Sequence, residues 1–222
     1  MVGKSRDRSG FVPALGLNFL TGLYDPLVRL TTREKYFKQR LLAQASIPEQ
    51  AAVLDLGCGT GTLGLQIARA HPTSTVTGLD GDEKMLRRAR HKADEANVGI
   101  RFDQGLVPEL PYSEGSFDRV VSTLFFHHLN GKQKSDTARE VLRVLRSGGQ
   151  FHVADWGKPS DRLMRLLFYP IQLLDGFKTT GDNVEGRLPE IFEAAGFRSV
   201  RTHSEIRTIF GTPALYSAVK LG

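Results

Sequence analysis

The chain has 222 residues, of which 40% are hydrophobic and 24% charged, and its formal net charge at pH 7 is +6. This length and apolar content suit a single α/β domain with its own core. No apolar run approaches the roughly 20 residues of a membrane-spanning helix, and no signal peptide is evident, so we expect a cytoplasmic protein. The only cysteine is Cys58, which excludes disulfides and a cysteine-based zinc site, and we predict no metal site.

The N-terminal segment is basic, and we predict that residues 1–46 form a helical lid. Its first 40 residues carry eight lysines and arginines against three acidic residues. Thr31 and Glu34 have the spacing of a capping box, and Phe37 and Leu41 then fall on one helix face. A basic segment suits peripheral contact with an anionic membrane, a nucleic acid or an acidic substrate, although many such segments are simply solvated helix faces.

A glycine-rich turn joins the first predicted strand to the next helix. Val53 and Leu54 begin a short apolar run typical of a strand that is buried on both faces. The turn that follows contains Gly57, Cys58, Gly59, Thr60 and Gly61. Glycines there permit positive φ and close approach of a ligand, while the N–H groups that start the helix favour a negatively charged ligand group. The turn therefore predicts a nucleotide site.

The acids beside this turn indicate which nucleotide binds. Gly59, Gly61 and Gly64 fit the G-x-G-x-x-G spacing of a dinucleotide site, and Asp80 is suitably placed for a ribose contact. Asp55, however, puts a carboxylate at the mouth of the turn, where it would repel a pyrophosphate. S-adenosylmethionine carries a sulfonium and an ammonium group that an acid attracts. We favour S-adenosylmethionine and keep an NAD-dependent oxidoreductase as the less favoured alternative.

Residues 47–222 are predicted to form a Rossmann-like, doubly wound seven-stranded α/β sheet with helices on both faces. We expect strands near 52–56, 75–79, 99–103, 118–123, 149–154, 199–208 and 213–220, and helices near 61–70, 82–96, 132–146 and 186–195. Alternation of strands and helices indicates mostly parallel pairing. A short turn around Gly211 predicts a final hairpin, and hence one antiparallel strand near the C-terminus. Ligands of such sheets bind at the carboxyl ends of the strands.

From Val53 to Asp155 the chain resembles the class I S-adenosylmethionine-dependent methyltransferases, particularly the small-molecule group that includes the ubiquinone and menaquinone methyltransferases. The segments that carry the resemblance are VLDLGCGTGTLG, VTGLDGDEKML, LPYSEGSFDRVVSTLFFHHL and REVLRVLRSGGQFHVADW. The resemblance implies that Asp55 lies near the methionine part of the cofactor and that Asp80 holds the ribose hydroxyls. The full implied binding set is Asp55, Gly57, Cys58, Gly59, Thr60, Gly61, Asp80, Gly81, Met85, Gly105, Leu106, Val107 and Ser122.

The predicted adenine site departs from the family pattern. The family usually has Gly-Asp-Ala before Leu-Pro, and its Asp accepts a hydrogen bond from the adenine amino group. Gly105, Leu106 and Val107 stand at these positions here. Because Leu106 offers no acceptor, we expect the adenine contact to come from a main-chain group, a water or another residue such as Gln104.

The candidate catalytic residues follow the fourth and fifth predicted strands. His127 and His128 come after the fourth strand, Asp155 ends the fifth, and Tyr24 of the lid is a weaker candidate. Methyl transfer needs a base only when the acceptor carries a proton at working pH, and histidine has a suitable pKa. A structural or substrate-shaping role for these histidines is the competing interpretation.

An apolar segment at residues 157–185 is predicted to be an insertion on the substrate side, because it is too apolar to stay uncovered. With the lid it would form a pocket for a small, aromatic or lipid-like acceptor methylated on O, N or C. The alternatives are a nucleic-acid or protein methyltransferase that uses the basic N-terminus, and a cofactor-binding partner that has lost catalysis. Nucleic acid is the less favoured partner, because Ser122 and its neighbours form no Asn-Pro-Pro-Tyr-type motif.

Overall fold

A computed structural model describes residues 34–222 of the protein. Most of the predicted lid, including Tyr24, Thr31 and the greater part of the basic segment, lies outside the described residues. No helix within the described range combines the length and apolar content that crossing a bilayer requires.

The described chain alternates strands and helices in the order that the sequence predicts. The strands are β1 (Ala52–Leu56), β2 (Thr75–Asp80), β3 (Arg101–Gln104), β4 (Phe117–Thr123), β5 (Leu145–Trp156), β6 (Arg198–Glu205) and β7 (Pro213–Val219). The helices are α1 (Glu34–Ala45), α2 (Thr62–Ala70), α3 (Glu83–Glu95), α4 (Gly131–Val144), α5 (Arg162–Asp175), α6 (Phe177–Glu185) and α7 (Leu188–Ala194), with one 3₁₀ turn at Phe126–His128.

The strands form one seven-stranded sheet in the order β3-β2-β1-β4-β5-β7-β6. Strands β1 to β5 pair in parallel, and β7 runs antiparallel to both of its neighbours, β5 and β6. This arrangement confirms the predicted doubly wound sheet with one antiparallel strand. Strand order reverses between β1 and β4, and the carboxyl ends of β1, β2, β4 and β5 therefore meet at one edge, where ligands of such sheets bind.

Both faces of the sheet are buried, which explains the continuous apolar runs of the central strands. Val53 packs on one face with Phe37 and Leu41 of α1, whereas the adjacent Leu54 packs on the opposite face with Val141 of α4. Phe37 and Leu41 are fully buried, so the predicted apolar face of α1 is confirmed within the described residues. Each such side chain contributes roughly 1.5–3 kcal/mol relative to exposure.

Strand β5 begins earlier than the sequence pattern indicates. The predicted strand spans 149–154, but β5 extends over Leu145–Trp156. The side chain of Leu145 is fully buried and its backbone pairs with Phe117, so tertiary packing ends α4 at Val144. The register between β4 and β5 shifts after this pair, and Gly148, with φ of 76°, lies in the part of β5 where the shift occurs.

The apolar segment 157–185 forms α5 and α6, and only its inner face is covered by the described residues. Asp161 begins α5 by accepting a hydrogen bond from the backbone N–H of Met164 at 2.8 Å. Phe168 packs against Trp156 on the inner face, whereas Leu173 remains 73% exposed on the outer face. The predicted cover of this segment by the lid falls mostly on residues 1–33, outside the described residues, and so stays a prediction.

Candidate active site

The glycine turn between β1 and α2 has the geometry of a ligand cradle. Gly57, Gly59 and Gly61 have φ of 68°, 52° and 70°, a left-handed conformation that favours glycine. The backbone N–H groups of Gly57 and Cys58 donate to the carbonyl oxygen of Leu79 at 2.9 and 3.0 Å, which ties the turn to β2. A Cβ atom added at Gly59 would meet no atom within 4 Å among the described residues. The turn is thus fixed at its base and open above Gly59.

Asp55 is buried behind this turn with one carboxylate oxygen unpaired. Its Oδ2 accepts a hydrogen bond from the N–H of Gly64 at 3.0 Å, whereas Oδ1 has no partner among residues 34–222. Burial raises the pKa of Asp55 to about 7, although the nearby Lys38 opposes this shift. A buried oxygen without a donor fits a ligand that brings a cationic donor, such as the ammonium group of S-adenosylmethionine.

Asp80 approaches the turn from the end of β2. Its Oδ2 accepts from the N–H of Gly59 at 2.8 Å, and its Oδ1 accepts from the N–H of Asp82 at 2.9 Å. Burial raises the pKa of Asp80, although these hydrogen bonds oppose the shift. The two bonds fix the carboxylate beside the turn, in the position expected of a ribose ligand.

The predicted adenine contacts lie on the neighbouring connections. Leu106 is 48% exposed, and Gly105 before it packs closely on Leu79, where a Cβ atom would lie 2.8 Å from Cδ1. Val107 precedes a cis peptide bond. Gln104 donates through Nε2 to the carbonyl oxygen of Gly81 at 3.2 Å. The adenine contacts of these residues stay predictions.

Four further members of the predicted set occupy defined positions. Met85 lies in the first turn of α3, and Thr60 receives a hydrogen bond from Lys92 Nζ at 2.7 Å. Burial raises the pKa of the Cys58 thiol, which therefore stays neutral. Ser122 is fully buried, and its hydroxyl donates to the carbonyl oxygen of Leu56 at 2.8 Å, so it ties β4 to β1.

Asp155 organises the loop that carries the two histidines. Its Oδ2 accepts from the backbone N–H groups of Phe125 and Phe126 at 2.9 and 2.7 Å. Its Oδ1 lies 2.7 Å from His127 Nδ1 and accepts from the N–H of Trp156 at 2.7 Å. Burial alone would raise the pKa of Asp155, but attraction to His127 outweighs burial and lowers it. Asp155 is thus an anion whose oxygens are already occupied.

Asp175, at the end of α5, completes this cluster. His127 Nε2 lies 3.6 Å from Asp175 Oδ2, and His128 Nδ1 lies 4.0 Å from Asp175 Oδ1. The two imidazole centroids are 4.0 Å apart. Burial would lower the pKa of His127, but the two carboxylates outweigh it and raise that pKa. The structure brings His127, His128 and Asp155 together as predicted, whereas sequence reasoning missed Asp175 because no local motif marks it.

Phe125 connects the histidine loop to the cofactor turn. The backbone of Phe125 is held by Asp155, and its ring lies so close to Gly57 that a Cβ atom there would be 2.4 Å from Phe125 Cδ2. An apolar cluster of Trp156, Phe168 and Ile171 lies nearby on β5 and α5. This contact places the loop of His127 and His128 next to the glycine turn, while the roles of these residues stay predictions.

Together, this sheet and this turn are typical of α/β proteins that bind a nucleotide-type ligand, and the unpaired oxygen of Asp55 favours a ligand that carries positive charge. In a comparison with protein families, the family described as a methyltransferase domain matches residues 53–149 of this chain. The chain is 32% identical to an uncharacterized methyltransferase of Synechocystis, over 77% of each chain. It is 30% identical to the demethylmenaquinone methyltransferase of Lactobacillus johnsonii, over 76% of this chain and 74% of the relative. A SAM-dependent methyltransferase of Aquifex aeolicus shares the fold, with a TM-score of 0.64, 18% identity, and coverage of 83% of this chain and 89% of that one.

The chain therefore belongs to the class I S-adenosylmethionine-dependent methyltransferases. It is an enzyme, and its methyl donor is S-adenosylmethionine. The unpaired oxygen of Asp55 and the open backbone at Gly59 fit this donor. Family membership decides against the NAD-dependent alternative and against a cofactor-binding protein without catalysis.

Proposed function

We propose that the protein transfers the methyl group of S-adenosylmethionine to O, N or C of a small, aromatic or lipid-like acceptor that binds beside His128. The observation that carries this proposal is the packing of Phe125 on Gly57. Because this contact joins the histidine loop to the cofactor turn, an acceptor beside the histidines lies next to the donor. His128 retains 35% of its side-chain surface exposed, so an acceptor can reach it.

The apolar surroundings of this cluster support a lipophilic acceptor. Trp156, Phe168 and Ile171 pack together with Leu124 and Phe210 beside the loop. Small-molecule sites are mostly apolar with a few polar groups, and proximity in a water-poor site can supply on the order of 7–11 kcal/mol. The demethylmenaquinone methyltransferase of Lactobacillus johnsonii, by its name, methylates a quinone-type molecule, which favours the same class here.

The histidine loop and Asp175 place imidazole and carboxylate groups where an acceptor hydroxyl could donate a hydrogen bond. The oxygens of Asp155 are occupied by five hydrogen-bonding groups, and His127 is buried, so we assign these two residues a positioning role. His128 and Asp175 form the side of the cluster that faces an acceptor. Burial and the neighbouring His127 lower the pKa of His128, so its imidazole is neutral and can accept a hydrogen bond from an acceptor hydroxyl, although the lowered pKa makes it a weaker base. Tyr24 remains a predicted participant.

The proposal is tested by measuring transfer of labelled methyl groups to a panel of phenols, quinols and amines, with RNA and protein offered in parallel. We expect transfer to at least one phenol or quinol. His128→Asn should lower kcat by roughly 10²-fold or more without changing the affinity for S-adenosylhomocysteine. The matched control is His203→Asn, since His203 is an exposed histidine of β6 that bonds Ser217. Transfer only to RNA, with steep salt dependence, would establish the alternative instead.

A further inference from the structure

We infer that His127, His128 and Asp175 form a binding site for one divalent transition-metal ion at the entrance of the acceptor site. Each residue offers one ligand atom, and these three atoms all lie within 4.8 Å of one another. The sequence predicts no metal site, because the two histidines and the aspartate are 47 positions apart and share no motif.

The spacing of the three groups suits coordination better than direct hydrogen bonding. The distances from the Asp175 oxygens to His127 Nε2 and His128 Nδ1 are 3.6 and 4.0 Å, longer than hydrogen bonds to nitrogen. Ligands of a tetrahedral zinc ion lie at about 2.0–2.2 Å from the metal, which places them about 3.3–3.6 Å from one another. The three ligand atoms, which lie within 4.8 Å of one another, would close by up to about 1 Å to reach this spacing.

His127 already has a carboxylate next to its other ring nitrogen, as metal-bound histidines usually have. Its Nδ1 lies 2.7 Å from Asp155 Oδ1. Because Asp155 also accepts hydrogen bonds from three backbone N–H groups, it is fixed as an anion, and the Nδ1 proton of His127 points to it. A metal ion would bind at Nε2, which lies 3.6 Å from Asp175 Oδ2, in place of the proton that this nitrogen carries in the imidazolium form. Such carboxylate–histidine pairs orient metal ligands and raise their basicity.

Asp175 presents a carboxylate to both imidazoles. Its side chain is only 6% exposed, and its polar neighbours among residues 34–222 are the two imidazoles, both beyond hydrogen-bond distance. The ammonium group of Lys134 is engaged elsewhere, with Asp182 and the carbonyl oxygen of Thr179. A metal ion held by both histidines would neutralise this carboxylate in place of a protonated His127.

The donor set and its access favour a particular class of ion. Two imidazole nitrogens and one carboxylate suit Zn²⁺, Co²⁺ or Ni²⁺ rather than Mg²⁺ or Ca²⁺. The exposed edge of His128 provides an entry path. Three protein ligands leave a position open, so the ion can hold an oxygen of the acceptor as its anion. This consequence rests on the proposed function, whereas binding of the ion does not.

Binding is tested with untagged, chelator-treated protein titrated with Co²⁺, which reports coordination through its visible absorption, and with Zn²⁺ by calorimetry. We expect one ion per chain. Asp175→Asn and His128→Gln should abolish the absorption band, and Asp155→Asn should weaken binding about 10–100-fold. Matched controls are Asp136→Asn and His91→Gln, since both residues are surface partners in helical ion pairs.

Stabilisation of each variant by S-adenosylhomocysteine, read from the melting temperature, shows that it is folded. Absence of the absorption band at saturating Co²⁺, or undiminished uptake by Asp175→Asn, would overturn the inference. The titration uses no acceptor, so it is independent of the proposed function. A protein that binds Co²⁺ but methylates none of the small acceptors would contradict the proposed function alone.

Discussion

The ring of Phe125 lies directly over the α-carbon of Gly57, and this contact joins the cofactor turn to the histidine loop. A Cβ atom at Gly57 would lie 2.4 Å from Phe125 Cδ2, and the amide of Phe125 is held by Asp155 at 2.9 Å. Gly57 is therefore required twice, for its φ of 68° and for the space that Phe125 occupies. A substitution in the cofactor turn should therefore displace the histidine loop, and a substitution in the loop should displace the turn.

We expect Gly57→Ala to destabilise the protein more than backbone strain alone. Gly148→Ala is the matched control, because Gly148 has a similar φ of 76° but nothing within 4 Å of an added Cβ. The control should cost about 1–2 kcal/mol, whereas Gly57→Ala should cost about 1–3 kcal/mol more through overpacking against Phe125. Urea unfolding measures both values. Equal losses for the two variants would show that Phe125 moves aside freely.

Much of the fold could be predicted because its signals are local. The run of Val53 and Leu54, the glycines after it and the acid at position 80 all lie within one β1–α2–β2 unit, so their positions follow from short-range geometry. The start of β5 could not be predicted in the same way. Leu145 continues the helical pattern of α4, and only its pairing with Phe117 makes it a strand residue.

The missed site residues depend on tertiary contacts that leave no sequence pattern. Asp175 ends a helix in an apolar segment and meets His127 because α5 packs against β5 through Phe168 and Trp156. In the sequence, Lys38 is one of several basic residues of the predicted lid. In the structure its side chain is only 9% exposed, and its positive charge opposes the rise in the pKa of Asp55. Buried charges of this kind can be located only when the elements that enclose them are in place.

Replacing Asp155 should destabilise the histidine loop strongly. Asp155→Asn keeps the shape of the side chain but turns one acceptor into a donor that faces N–H groups. It also leaves the buried His127 without its anion. Removing one partner of a buried pair costs about 3–5 kcal/mol, so we expect a loss of this order in the free energy of unfolding.

Asp136→Asn is the control for this measurement, because Asp136 pairs with Lys132 and Arg139 on the surface of α4. Its unfolding midpoint should stay close to that of the wild type. A similar midpoint for Asp155→Asn would mean that the loop is held by packing alone, and the ordering role of Asp155 would then be wrong.

Asp55 should couple protein stability to pH in the absence of the cofactor. Burial raises its pKa from 3.8 to about 7 in the folded chain. Between these values the folded state binds more protons than the unfolded state, so this carboxyl stabilises the fold below pH 3.8 and loses that contribution as pH rises to about 7. We expect the free energy of unfolding of Asp55→Asn to lack this decline. If the free energy of unfolding of the wild type and of Asp55→Asn changed equally with pH, the raised pKa of Asp55 would be contradicted.

Binding of the cofactor should lower the pKa of Asp55 again. A cationic ligand beside Asp55 favours its charged form, so binding of S-adenosylmethionine near pH 6 should release a proton from the wild type. Calorimetry in buffers of different ionisation enthalpy measures the number of protons released. Asp55→Asn should bind more weakly and release fewer protons. Equal proton release would place the cationic groups of the ligand away from Asp55.

Restoring an acceptor at position 106 should strengthen recognition of adenine. Leu106 is 48% exposed, so Leu106→Asp introduces a carboxylate without disturbing the core. Since the resembling family carries Asp here, the new side chain should accept a hydrogen bond from the adenine amino group. A hydrogen bond of this kind contributes about 0.5–1.5 kcal/mol, and we expect roughly 2- to 10-fold tighter binding of S-adenosylhomocysteine.

Specificity for the amino group separates this effect from general electrostatics. The deaminated analogue of S-adenosylhomocysteine lacks the donor, so Leu106→Asp should bind it no more tightly than the wild type does. Leu221→Asp adds the same charge at another exposed leucine, near the C-terminus, and should change neither affinity. If Leu106→Asp tightened both ligands equally, adenine would lie elsewhere, and the predicted role of the Gly105–Val107 connection would fail.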